Sequence, residues 1–164
     1  MFFRLALILV IVATIGCDRV TKHVATETLS GRPTQSYLSD TVRLGYTENA
    51  GGFLSIGDSL PSSARTAVFT IGTGLVLVVL AIMAFRVRLS RWHGVGLALF
   101  VAGGTSNWID RAMNGVVVDF LNLGVGWLRT GVFNVADVAI MLGAGIFALA
   151  ELRRNRRESP TVTT

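Results

Sequence analysis

The sequence is short of the residues that build most metal and redox sites. Cys17 is its only cysteine, so neither an intrachain disulfide nor a thiolate metal cluster is available. His23 and His93 are its only histidines, which excludes a histidine-rich metal site. Charge is scarce as well: 15% of the 164 residues are charged, against roughly 25% in an ordinary soluble domain, while 51% are hydrophobic. Mean hydropathy is +0.59. This balance excludes a disordered chain, collagen, a coiled coil and an ordinary soluble enzyme. A net charge of +5 would point a soluble protein toward nucleic acid. Here the basic residues have to be read against the apolar runs.

Four apolar stretches are candidates for crossing a bilayer, which takes about 20 residues. The first, from Phe2 to Gly16, reaches that length only if its helix runs on through Asp18, Arg19 and Lys22, giving a span over about 2–23. Thr66 to Phe85 carries no charge. The third covers about His93 to Ile109, and the fourth Gly131 to Ala150 with one acid, Asp137. The expected fold class is therefore an all-α polytopic membrane protein with four transmembrane helices, over about 2–23, 66–85, 93–109 and 131–150. Outer loops cover 24–60 and 110–130, so that 1–152 forms a single integral membrane domain and 153–164 a basic tail. Polar and apolar residues alternate through Tyr37, Leu38, Val42, Leu44 and Tyr46, which predicts short strands in the first outer loop. Pro61-Ser62-Ser63 reads as a turn and helix start.

Basic residues orient these spans. Arg86, Arg88 and Arg91 give the linker after the second span +3, the tail carries +2, and Arg4 adds +1. The segment from Asp18 to Leu60 is net −1, and that from Asp110 to Thr130 is neutral. Both termini are expected in the cytoplasm. The tail reads as a solvated end facing anionic lipid, not as a nucleic-acid contact. Arg4, the apolar run and Gly16-Cys17 also admit a lipoprotein signal with a mature chain beginning at Cys17. Thr14 and Ile15 fit that pattern poorly. The plainer expectation is that Cys17 is a small residue buried in its helix.

Ionisable residues in an apolar chain are costly and point to function. Together with two amides they gather toward one membrane face: Asp18, Arg19 and Lys22 on the first span, Asp110 and Arg111 with Asn107 on the third, Asp137 with Asn134 on the fourth, and Asp119 after three valines. Counted from Gly131, Asp137 would lie roughly 9 Å into its span, sharing a face with Asn134. One reading of Asp137 is a packing hydrogen bond or an ion pair with Arg111. The other is an acid–base group. Val116-Val117-Val118 favours an extended approach that brings Asp119 back to the membrane surface beside it. Two such carboxylates share one proton, the requirement of an aspartic dyad that hydrolyses peptides. A proton-coupled transporter and a non-catalytic membrane scaffold remain alternatives on the residues alone.

The motifs also resemble a known family. Asp18-Arg19-Val20-Thr21-Lys22 looks like the Asp-x-x-(Ser/Thr)-Lys motif of the lipoprotein signal peptidases, the signal peptidase II family of bacterial inner-membrane aspartic peptidases. The stretch from Glu48 to Ser55 is similar to that family's Asn-x-Gly-Ala-Ala-Phe-Ser segment. Gly103 to Arg111 resembles its Gly-Gly-x-x-Gly-Asn-x-x-Asp-Arg segment. Val117-Val118-Asp119-Phe120 and Phe133-Asn134-Val135-Ala136-Asp137 resemble its two catalytic motifs. The resemblance implies that Asp119 and Asp137 are catalytic. It implies that Asn49, Gly51, Gly52, Asn107, Asp110, Arg111 and Asn134 shape the site or hold substrate, and that Asp18 and Lys22 support it. It further implies cleavage of diacylglyceryl-modified prolipoproteins before the lipid-bearing cysteine, with no cofactor and no metal. The setting would be phospholipid, with the active site near the outer face, and globomycin-like cyclic peptides would inhibit. Phe53, Leu54 and Ser106 depart from the family pattern, as does the lack of a proline before Phe133. These departures bear on lid shape and inhibitor fit.

Overall fold

The computed structural model describes residues 2–50, 59–86 and 89–158. The expectations placed on Gly51, Gly52, Phe53, Leu54 and Arg88, and on the tail beyond 158, lie outside the described residues. The opening apolar run forms α1 (Phe2–Leu29), which continues past the expected end at residue 23. It runs through Asp18, Arg19 and Lys22 as the span length required, because Asp18 and Lys22 pair one turn apart and are buried against other elements. Cys17, expected to be buried, is exposed.

After α1 come two strands of the first outer loop, β1 (Gln35–Tyr37) and β2 (Val42–Asn49). Leu38 falls out of the anticipated alternation. It opens a turn in which Leu38, Ser39 and Asp40 all have positive φ. Arg43 holds that turn by donating to both carboxylate oxygens of Asp40 at 2.7 and 2.6 Å. A helix then starts at Ser62 behind Pro61 and runs to Arg86 without a break: α2 (Ser62–Arg65), a π-helical stretch over Thr66–Gly72, and α3 (Thr73–Arg86). The wide turn leaves the Thr70 carbonyl to accept from Trp108 Nε1 at 2.8 Å. Ser90 caps α4 (Arg91–Asn114), and Gly115, at φ 74°, turns the chain sharply into β3 (Val117–Val125). The hairpin closes with β4 (Leu128–Arg129), and α5 (Val135–Glu158) ends the described chain. The four strands form one antiparallel sheet in the order β1-β2-β3-β4.

The helices pack through small residues. Buried apolar positions include Ala25, Ala98, Ala102, Ala136 and Ala139, whereas Ile8, Leu9, Val12, Leu75 and Met141 are exposed. At the seam of α4 and α5 a Cβ on Gly103 would lie 2.3 Å from the Ala136 carbonyl, and one on Gly143 would lie 2.5 Å from the Phe100 nitrogen. Close backbone approach with large side chains outside is how helices associate in lipid.

Two helices, Ser62–Ala84 and Val135–Arg156, are long and apolar enough to cross a membrane. The expectation of four spans is met to that extent only. Arg4, Asp18, Arg19 and Lys22 crowd the run of α1, and glycines with His93 and Asn107 dilute α4. The expected outer loop over 110–130 is also shorter, since α4 carries Asp110 and Arg111 within its last turns.

Candidate active site

Asp119 is placed by sheet register. In the β2–β3 pair Thr47 stands opposite Asp119 and Asn49 opposite Val117, so Asn49 and Asp119 are diagonal neighbours on one face. A bulge between Leu44 and Thr47 shifts the register of β2. Because side chains alternate, this one-residue shift decides which face Asn49 takes. Val117 and Asp119 both point inward, at 1% and 2% exposure. Asn49 Nδ2 donates to Asp119 Oδ2 at 2.8 Å.

Asp137 is placed by a helix start. Phe133 bridges to Leu121 with backbone hydrogen bonds in both directions, which ties the approach to α5 onto β3. The helix therefore begins at Val135, not Gly131, and Asp137 lies in its first turn. The expected depth of roughly 9 Å is thus too large. Asn134 Oδ1 accepts from the Asp137 amide at 3.0 Å, and Asp137 Oδ2 accepts from the Asn134 amide at 3.2 Å. This reciprocal pair is a capping box, and it satisfies two of the orphan donors of the helix start. Asn134 also joins the two carboxylates: its Nδ2 donates to Asp119 Oδ1 at 2.6 Å.

A buried charged layer fixes these groups from below. Lys22 Nζ donates to Asn107 Oδ1 and to Asp110 Oδ2, both at 2.7 Å, and pairs with Asp18 at 2.7 Å. An ammonium only donates, so the Asn107 carbonyl faces Lys22 and its Nδ2 is turned to Asp137 Oδ1, at 2.9 Å. Asp18 is wholly buried. It accepts from the Ala136 amide at 2.8 Å and from Ser106 Oγ at 2.7 Å. A carboxylate at the first turn of α5 completes that helix end. Arg19 bonds the other oxygen of Asp110.

The two aspartates line one cavity of about 260 Å³, together with Asn49, Thr73, Gly104, Asn107, Arg111, Val117, Val132, Phe133 and Ile140. Every carboxylate oxygen of the pair accepts an amide N–H. Burial nevertheless pushes the Asp119 carboxyl up to about 6, and the charge of Asp137 adds to the rise against the pull of Asn49, Asn134 and Lys22. A carboxyl in that range can hold or release a proton near neutral pH. Among the described residues, no group of three or more His, Cys, Asp or Glu could hold a metal ion.

Of the residues singled out in the sequence, Asp18, Lys22, Asn49, Asn107, Asp110, Asp119, Asn134 and Asp137 form one connected network. Arg111 stands apart from its bonds. It feels the charges of Asp119, Asp137 and Asp110, but among the described residues it forms no ion pair. The alternative of an Arg111–Asp137 pair is therefore not realised. Its guanidinium lies 5.9 Å from the Phe69 ring centre, and its buried Nε has no partner among the described residues. Sequence reading gave no role to Arg65, Thr73 or Val132. Nor did it assign the Ser106 hydroxyl to Asp18. That role had a signal, since Ser106 directly precedes Asn107 in a glycine-rich helix.

A sequence model of the family described as Signal peptidase (SPase) II matches residues 10–153. The lipoprotein signal peptidase of Solibacter usitatus is 32% identical over 147 residues, which is 89% of each chain. That of Streptococcus pneumoniae is 30% identical over 152 residues, covering 92% of this chain and 94% of its own. The fold is similar to that of a bacterial membrane enzyme determined in meso at 2.3 Å resolution, with a TM-score of 0.81 at 24% identity over 97% of this chain and 94% of the other. By the extent of these matches, the chain belongs to the signal peptidase II family.

Proposed function

We propose that this chain is an aspartic endopeptidase of the inner membrane, cleaving diacylglyceryl-modified prolipoproteins just before the lipid-bearing cysteine, with Asp119 and Asp137 as its catalytic pair. The observation that carries the reading is the amide web: Asn49, Asn134 and Asn107 hold two carboxylates from different elements in one cavity. The reaction needs one proton on the pair. The ionised carboxylate takes a proton from water as the oxygen attacks the scissile carbonyl carbon. The protonated one donates to the carbonyl oxygen. Collapse of the tetrahedral species breaks the C–N bond, with a proton passing to the cysteine nitrogen. The signal peptide leaves with a new carboxylate. Asp18, Lys22 and Asp110 support the site, and Asn107 and Asn134 orient the pair.

In this reading α1 and α4 cross the bilayer alongside the two more apolar helices, both termini are cytoplasmic, and the sheet and dyad lie near the outer face. One domain covers 1–152 and the basic tail 153–164 faces anionic lipid. By the family resemblance Gly51 and Gly52, outside the described residues, belong to the substrate-holding set, and globomycin-like peptides compete with substrate. Among the described residues the buried polar side chains sit at the two ends of the helices, the network around the aspartates at one and His93, against Glu151, at the other, with none between. This favours the peptidase reading over a proton path, which needs polar groups at several depths.

The test is cleavage of a diacylglyceryl-modified precursor by purified wild type and by Asp119→Asn and Asp137→Asn. Each variant keeps the shape and loses the proton exchange. Turnover should fall by about 10³-fold or more, while thermal stability shows that the fold survives. In the wild type, kcat/KM should descend as pH rises through about 6, where Asp119 gives up the proton the pair must hold. Near-normal hydrolysis by either folded variant would remove the dyad.

A further inference from the structure

Arg111 lines a second cavity besides the one that holds the aspartates. This cavity, of about 230 Å³, is bounded by Ser62, Arg65, Thr66, Phe69, Gly115 and Ala50 with Arg111 between. The two spaces are neighbours along every element they share. Ala50 and Val116 line the second where Asn49 and Val117 line the first. Along α4 and the helix that starts at Ser62, the order is consistent too. The aspartate cavity reaches toward the helix middles at Gly104 and Thr73, and the second cavity sits toward the helix ends at Gly115 and Ser62. An extended peptide crossing the scissile position therefore passes Arg111 in going from one to the other.

The direction of passage follows from the substrate's chemistry. The apolar signal segment stays with the lipid-side cavity, and the polar chain after the cysteine leaves toward the helix ends. Two guanidiniums border that exit, and no acid does among the described residues. Among the described residues neither arginine forms an ion pair, and the buried Arg111 Nε has no partner. The Ser62 and Thr66 side chains add hydroxyls to the same wall.

We propose that this second cavity receives the first residues after the lipid-bearing cysteine and selects an acidic side chain among them, with Arg65 as the specificity-determining residue beside Arg111. The inference rests on the peptidase reading above. Planar guanidiniums suit a carboxylate, and a pair at a part-exposed wall gives a modest and salt-sensitive preference.

The experiment compares three lipidated precursors differing only at the second and third residues after the cleaved bond: both serine, both aspartate or both lysine. Each is cleaved in neutral-lipid nanodiscs, and in parallel in anionic ones, by wild type, Arg65→Gln, Arg65→Lys and Arg65→Glu. The readout is the ratio of kcat/KM between substrates within each variant, so a general change in activity cancels. Wild type should favour aspartate over lysine by about three- to fivefold at low salt. Arg65→Lys should keep the order, Arg65→Gln should flatten it, and Arg65→Glu should invert it. Equal rates on all three substrates by wild type would overturn the inference and leave the peptidase reading standing. A preference that survives Arg65→Gln would also overturn it. A charge effect seen only in anionic nanodiscs would assign the cavity to a lipid headgroup and overturn it as well. Cleavage of none of the substrates by wild type would remove both readings together.

Discussion

Asn134 does three things with one short side chain: it caps α5 by receiving the Asp137 amide, it donates to Asn107 Oδ1 at 3.2 Å, and it donates to Asp119 at 2.6 Å. These roles separate by substitution. Asn134→Ala loses all of them, so thermal stability should drop by about 1 kcal/mol, the usual value of an N-cap. Asn134→Ser keeps a capping oxygen but cannot reach Asp119. It should recover the stability while cleavage stays about 10²-fold down, as expected for a misplaced catalytic group. Equal recovery of stability and cleavage in Asn134→Ser would show that the cap alone matters. Asp119 and Asp137 were legible in the sequence because an ion in an apolar chain is expensive wherever it sits. The task of Asn107 was not legible. The orientation of its amide is dictated by Lys22, 85 residues away, and no local pattern reports which way an amide faces.

At the level of elements, the site depends on how closely α4 and α5 approach. Asn107 stands one turn from Gly103 on α4, and Gly103 lies against the Ala136 carbonyl, next to Asp137. A methyl at position 103 would sit 2.3 Å from that oxygen, so the helices must part. Gly103→Ala should cost about 1–3 kcal/mol, the range for overpacking. It should lower cleavage through the stretched Asn107–Asp137 bond. Gly145→Ala is the control, because a Cβ there meets nothing within 4 Å. It should leave stability level or slightly raised, since alanine is the better helix former. Melting curves and turnover of the two variants, side by side, decide it. The valine run did foretell the extended approach of Asp119, and Pro61-Ser62-Ser63 did foretell a helix start. The start of α5 was misjudged because Gly131 to Phe133 is apolar enough to read as helix. The backbone of Phe133 bonds instead to Phe120 and Leu121, partners the local sequence does not name. The bulge in β2 was equally hidden, since it exists only against β3.

Across the whole molecule, polarity is arranged inside out: Asp18, Lys22, Asp110 and Asp119 are buried, while leucines, isoleucines and valines cover the helices. Composition announced this inversion, because a chain with so few charges has no means of covering itself with them. Which end faces which compartment is a separate matter, carried by the basic residues. Arg91 at the start of α4 and the last turns of α5 lie at one end of these helices. The turn after α1, with exposed Arg32, lies at the other, near the sheet. The native Cys17 is exposed and has to be replaced first. In a Cys17→Ser background, Arg32→Cys should react with a membrane-impermeant maleimide in intact cells, and Arg91→Cys only after permeabilisation. Labelling of Arg91→Cys from outside would invert the protein and put the dyad on the cytoplasmic face. A lipidated precursor translocated before cleavage could not reach it there, so the orientation and the proposed substrate stand or fall together.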